Sequence, residues 1–152
     1  MSWSALFVLT NVVAFAGWAM LAFLPRRPAV HSIILYGCVG LLCVAYAAMF
    51  VALFGGLADP IRMPGARPSD LSDYTLSGLR NLFMSDGGVT LGWTHYLAFD
   101  LFVGLWVARD ADTKGFSRWA QLPVLFCVLM AGPIGLLIWL AVRERRARRA
   151  AG

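Results

Sequence analysis

The sequence predicts an all-α integral membrane protein, a four-helix bundle with a short interfacial helix in its second loop. Of its 152 residues, 60% are hydrophobic and only 14% are charged, which excludes an ordinary soluble domain of this size. Four apolar windows are each long enough to cross about 30 Å of hydrocarbon as a helix: Trp3–Leu24, Pro28–Ala58, Gly87–Ala108 and Trp119–Val142. Residues 1–142 are therefore predicted to form one membrane domain, followed by a basic tail at 143–152.

The first window is interpreted as a retained helix, because no Lys or Arg precedes it and it is too long for a signal peptide. Asn11, near its middle, needs a polar partner in lipid, and a hydrogen bond to a neighbouring helix is the simplest expectation. Pro25 and Pro28 close a tight loop, so the first two helices are expected to pack as an antiparallel hairpin. No Arg- and Ser-rich transit segment is present, which favours either a multi-pass protein of the bacterial inner membrane or an already processed chain.

The second loop, from Gly55 to Gly87, is the one long connection between the windows. Its first half is rich in Pro and Gly. After a predicted cap at Ser69 and Asp70, apolar residues recur at helical spacing: Leu71, Tyr74, Leu79, Leu82 and Phe83. This pattern predicts a short amphipathic helix in the membrane interface, either a surface anchor or a cover over a pocket mouth.

The basic residues predict the orientation. Of the 13 Lys and Arg, 8 lie in the second loop and the tail, and 5 lie in the first and third loops. With four crossings, the positive-inside rule places both termini in the cytoplasm. An Arg-rich tail beside a helix end meets anionic lipid first, so no nucleic-acid partner is predicted.

The third window holds the most informative residues, His95 and Asp100. An ionisable side chain near the bilayer centre costs about 2.5 kcal/mol or more, so both are expected to be shielded from lipid and to have polar partners. Five residues separate them, which places them about 140° apart around a helix and excludes a pair with each other. Burial favours a protonated Asp100, a candidate general acid, with His95 as base or proton relay. The alternative is that each makes a structural hydrogen bond between helices.

Aromatic residues share the faces of these two side chains. Trp93 and Tyr96 lie on the face of Asp100, and Phe99 and Trp106 on that of His95. Such faces suit a flat, extended, apolar ligand. The other histidine, His31, lies at the start of the second window, on the order of 15 Å away, so no metal site and no cofactor are predicted.

The last window contains Gly132 and Pro133 at mid-depth, which predicts a kink. This segment, together with the run around His95 and Asp100, resembles the abscisic-acid-deficient-4-like membrane family. The resemblance rests on Gly92–Trp106, Arg109-Asp110, Leu122-Pro123, Gly132–Leu137 and, in the first helix, Asn11, Trp18 and Leu24-Pro25-Arg26.

Plant members of that family are implicated in making neoxanthin from violaxanthin, an isomerisation in which a carotenoid epoxide opens to an allene. This chemistry needs an acid to protonate the epoxide oxygen and a base to remove a proton. The resemblance therefore nominates His95 and Asp100 as catalytic residues, with Asn11 as an orienting group.

The predicted function is a membrane-embedded carotenoid- or isoprenoid-modifying protein similar to neoxanthin synthase, an isomerase without a redox cofactor. The alternative is a non-enzymatic pigment- or lipid-binding scaffold, in which the buried polar groups only fix helix register. A small transporter is disfavoured by the few polar groups available to line a pore. The expected partners are membrane lipid, an apolar carotenoid or isoprenoid ligand and, in an oligomer, further copies of the chain.

Overall fold

The computed structural model describes residues 2–68, 70 and 72–150, and the surroundings of side chains as far as Glu144. The described residues form helices and no β-strand, which confirms the all-α class. One isolated antiparallel bridge joins Arg62 to Ser85. The α-helices are α1 (Trp3–Phe23), α2 (Pro28–Ser32), α3 (Gly40–Phe54), α4 (Leu76–Phe83), α5 (Asp86–Thr113) and α6 (Arg118–Ala150). A π-helical segment, Ile33–Val39, connects α2 to α3.

Three described segments are long and apolar enough to cross a membrane: Trp3–Phe23, Pro28–Phe54 and Arg118–Glu144. Helix α5 is not among them although it has 28 residues, since polar side chains such as Thr94, His95 and Asp100 lower its hydropathy. The first two predicted spans are thus supported directly. The third, Gly87–Ala108, has the length to cross but remains a prediction as a span.

The chain divides into two compact units. The first comprises Met1–Ala14 and Gly40–Ala98, and the second comprises Phe15–Val39 and Phe99–Gly152. Helices α1 and α5 each contribute residues to both.

In the first unit, the beginning of α1 meets the beginning of α5. Trp3 is buried, and its indole Nε1 donates a 2.7 Å hydrogen bond to the carbonyl oxygen of Asp59. The Gly87 N–H donates to the Pro60 carbonyl at 3.0 Å. A Cβ on Gly87 would lie 3.0 Å from the Trp3 ring, so glycine permits this close approach. The ends of the second loop are therefore tied to the start of α1.

In the second unit, small residues bring α1 against α5. Leu101 packs on Gly17, and the Trp18 ring packs on Gly104. At the ends of these helices, the Arg26 guanidinium donates to the Ala108 carbonyl at 3.0 Å, and Arg118 donates to the Ala22 carbonyl at 2.7 Å. The first and third loops therefore lie at one face of this unit.

Helix α6 folds back on itself. Its helical conformation is broken at Ala131, which has φ −156° and ψ 68°. In a straight helix Trp139 would lie on the order of 30 Å from Arg118. Instead, the ring of Trp139 lies 5.1 Å from that of Phe116, centroid to centroid. A Cβ on Gly135 would lie only 2.6 Å from the Cα of Val128, so the two halves of α6 run in backbone contact as a helical hairpin.

The hairpin corrects the fourth predicted span, Trp119–Val142. Its hydropathy is that of a crossing helix, but the contacts return Trp139 and Arg143 to the face where α6 begins, beside Asp110. The kink that was expected at Gly132 and Pro133 is therefore a reversal of the chain.

The predicted amphipathic helix of the second loop is present as α4, but it begins later than expected. Its N-cap is Thr75, whose hydroxyl oxygen accepts a hydrogen bond from the Gly78 N–H at 3.2 Å. Asp70 instead accepts two hydrogen bonds from Ser72, and these lower the pKa of its carboxyl group. Ser69 and Leu71 lie outside the described residues. Three large apolar side chains of α4 are exposed, Leu76, Leu79 and Phe83, and a fourth, Leu82, is half-buried.

Candidate functional site

Asn11 joins α1 to α5 in the first unit. Its side-chain N–H donates to the Phe7 carbonyl at 2.7 Å, and its oxygen accepts a hydrogen bond from the Trp93 indole at 3.1 Å. This confirms the expected bond between helices. Both ends of the amide are engaged, so the contacts of Asn11 are those of a group that fixes the register of α1 against α5.

An aromatic row continues from that hydrogen bond. The Phe7 and Trp93 rings are stacked with centroids 6.1 Å apart, and the Trp93 and Tyr96 rings are stacked at 5.1 Å. Trp93 remains 40% exposed. The structure thus brings together two residues proposed to bind substrate, Trp93 and Tyr96, beside Asn11.

His95 lies on an exposed face of α5, and its ring is 5.6 Å from that of Tyr46, centroid to centroid. The expectation that it would be shielded is wrong for the isolated chain. The reason is the orientation of α5, whose buried face follows Thr94, Leu97 and Ala98. His95 is next to Thr94 in sequence, so its side chain points away from the buried face of α5.

Asp100 is buried, as expected for an acid in an apolar helix, and only 8% of its surface is exposed. Its carboxyl group lies against Gly132, at the reversal of α6. A Cβ on Gly132 would lie 2.9 Å from the Asp100 Cγ and closer still to one carboxyl oxygen. The missing side chain of Gly132 therefore provides the space that the acid occupies.

The second half of α6 begins at this point with Gly132-Pro133. Proline at a first helical position is typical of a helix start, where the leading N–H groups have no acceptor within the helix. A helix start carries partial positive charge and stabilises nearby negative charge. The start of the second half of α6 therefore lies against the Asp100 carboxyl group.

The remaining predicted site residues belong to the second unit. Phe99 is 57% exposed. Trp106 is 38% exposed, and the guanidinium carbon of Arg143 lies 5.6 Å from its ring centroid. Within the described part of the chain, no group of three or more His, Cys, Asp or Glu residues is arranged to hold a metal ion.

A polar network at the ends of the helices was missed by the sequence interpretation. Asp110 accepts hydrogen bonds from the Trp139 indole at 3.0 Å and from Lys114 at 3.1 Å, and its carboxylate lies 2.9 Å from the Arg143 guanidinium. These contacts fasten the returning half of α6.

A second part of the network centres on Gln121, which is 1% exposed. Its side-chain N–H donates to Asp112 at 2.9 Å, and its oxygen accepts a hydrogen bond from Arg26. Arg26 also pairs with Asp112 at 3.2 Å. Gln121 within an apolar window was the available signal, because a polar amide there needs buried partners.

Comparison with known proteins agrees with this picture of an apolar helical chain carrying a few buried polar groups. The family described as ABA DEFICIENT 4-like matches residues 5–139. The match covers most of the chain, so the protein belongs to this family. No curated protein and no solved structure matches the chain. The family that the run from Gly92 to Trp106 resembled is thereby confirmed.

Proposed function

We propose that this protein modifies a carotenoid or related isoprenoid within the membrane by proton transfer, as an isomerase of the neoxanthin-synthase type. Family membership supports the substrate class. The observation that carries the proposal is the carboxyl group of Asp100, buried at the reversal of α6 against Gly132. An ionisable group kept at such a position is costly, which favours a functional role over a purely structural one.

In the proposed reaction, Asp100 as a neutral acid donates its proton to an epoxide oxygen, and the carbon–oxygen bond of the ring breaks. Loss of a proton from the neighbouring carbon then forms a double bond and leaves the oxygen as a hydroxyl group. One proton is added and one is removed, so the product is an isomer and no oxidant or reductant is consumed. We propose His95 as the base or relay, and Trp93, Tyr96, Phe99 and Trp106 as residues that contact the apolar substrate.

A scaffold that binds pigment or lipid without turnover is the second candidate. The hydrogen bond between Asn11 and Trp93 favours it, because that bond fixes two helices and leaves the amide engaged. In a scaffold, Asp100 would likewise hold two helices together, α5 and the second half of α6. Pigment would co-purify in both cases, and only product formation separates them.

The test is expression in a host that accumulates epoxy-carotenoids, followed by chromatography of extracted pigments at matched protein levels. Asp100→Asn keeps the shape of the side chain but cannot act as an acid, so the product should disappear while the protein still accumulates. Asp86→Asn is the matched control, since Asp86 is an exposed acid at the start of the same helix. Product from wild type and Asp86→Asn alone supports the proposal. Equal pigment profiles for all variants and the empty host would leave the scaffold.

A further inference from the structure

A groove of about 280 Å³ opens on the second unit between the π-helical segment and α5. Its walls differ in polarity along its length. One end is apolar, and the other, toward the end of α5, is polar. The residues that matter here are Leu35, Phe102 and Trp106 at the apolar end, and Arg109, Asp110 and Thr113 at the polar end.

The two charged residues at the polar end, Arg109 and Asp110, differ in whether they form ion pairs. Asp110 is paired with Lys114 and Arg143, so its negative charge is already compensated. Arg109 is exposed and forms no ion pair with any carboxylate among residues 2–68, 70 and 72–144. His31, one helical turn before Leu35, lies within electrostatic range of Arg109 and Arg26. The polar end therefore presents uncompensated positive charge.

The residues of α5 that line the groove extend over about the hydrocarbon thickness of one leaflet. From Phe102 to Thr113, α5 rises about 16 Å, close to half of the ~30 Å hydrocarbon thickness. If α5 crosses the membrane as predicted, Arg109 lies near the depth of the lipid phosphates, and Phe102 and Leu35 lie beside acyl chains. A ligand that matches both ends has an apolar chain and an anionic head.

We propose that this groove is a binding site for an anionic phospholipid, with its phosphate on Arg109 and an acyl chain along Leu35, Phe102 and Trp106. The groove shares Trp106 with the residues proposed to contact substrate, but its charged end at Arg109 has no part in the proposed reaction at Asp100. An arginine near an anionic membrane surface contributes about 1 kcal/mol, which corresponds to roughly fivefold in affinity. Removal of the Arg109 charge should therefore reduce the preference for anionic over zwitterionic lipid about fivefold.

The test is native mass spectrometry of the full-length protein in detergent, with equimolar phosphatidylglycerol and phosphatidylcholine of identical acyl chains. The wild-type protein should bind more phosphatidylglycerol than phosphatidylcholine. Arg109→Gln should lose most of that preference and Arg109→Lys should retain it, because the head needs positive charge at this position. Arg80→Gln, on the exposed surface of α4, is the matched control and should behave as wild type.

Three outcomes would overturn the assignment. The first is an equal phosphatidylglycerol preference in wild type and Arg109→Gln. The second is loss of the preference only when residues 145–152 are removed, which would assign it to the tail. The third is displacement of bound phosphatidylglycerol by an uncharged carotenoid, which would make the groove a pigment site. A change at Arg109 that leaves pigment products unaltered would keep this proposal distinct from the one for Asp100.

Discussion

The carboxyl group of Asp100 occupies the space beside the backbone of Gly132 that any other residue would fill with its own side chain. The two positions are separated by the remainder of α5, the third loop and the first half of α6. The contact between Asp100 and Gly132 therefore depends on the reversal of α6. A side chain at position 132 would exclude the carboxyl group, and a larger side chain at position 100 would collide with the backbone of residue 132. This relationship gives the most direct test of the site.

Gly132→Ala is expected to destabilise the protein by about 1–3 kcal/mol, because its Cβ would overlap the Asp100 carboxyl group in a well-packed interior. Thermal unfolding in detergent measures the change. Gly37→Ala is the matched control, since its Cβ would meet only one side-chain atom of Ile33 at 3.7 Å. Equal unfolding temperatures for the two variants would contradict the packing described at Gly132.

Reporter fusions should place the C-terminus in the cytoplasm and the N-terminus on the opposite side. The reversal of α6 returns Arg143 to the face of the first and third loops. If the tail that follows stays on that side, the tail and these two loops account for 10 of the 13 Lys and Arg, and the second loop accounts for 3. Fusions after Gly152 and within the first loop should give the same signal, and a fusion before Ser2 the opposite one. Matching signals at both termini would show that α6 crosses the membrane.

Asp110→Ala should destabilise the protein by about 2 kcal/mol, because it leaves the Trp139 indole and two cations without their acceptor. Asp110→Asn should destabilise the protein less than Asp110→Ala, since an amide oxygen still accepts the indole hydrogen bond. Denaturation monitored by tryptophan fluorescence distinguishes the two variants. If neither substitution changes stability, Asp110 does not fasten the hairpin.

Asn11→Ala should lower stability by about 1 kcal/mol through loss of the bond to the Trp93 indole. If Asn11 fixes the register of α1 against α5, a chain that still folds should keep product formation per molecule close to wild type. If Asn11 orients substrate, turnover should fall much further than stability. Parallel measurement of unfolding temperature and pigment conversion decides between these roles.

Much of the fold follows from patterns that are local in sequence. Hydropathy identifies α1 and the segment Pro28–Phe54, because every turn of a crossing helix must be apolar. The hydrogen bond between Asn11 and a neighbouring helix could be predicted because an amide without a polar partner is costly in lipid. The helix of the second loop follows from its apolar spacing, although the position of its cap was wrong, because Asp70, Thr75 and Ser77 are all residue types common near helix starts.

The reversal of α6 could not be predicted in the same way. Pro133 removes one backbone hydrogen bond, and that loss is compatible with a small kink as well as with a complete turn. What distinguishes them is the set of contacts that Trp139 and Arg143 make with Asp110, residues separated by 29 and 33 positions. For the same reason, the orientation of α5, with Asp100 buried and His95 exposed, depends on packing that periodicity alone leaves open.

The helical hairpin also gives Asp100 a route toward one side of the membrane. Both halves of α6 reach the reversal from the same face, and the first half extends about 20 Å before it turns. A proton that reaches Asp100 along α6 therefore enters from the side of the first and third loops. If Asp100 exchanges protons by this route, the proposed reaction should respond to the pH on that side even though the carboxyl group is buried.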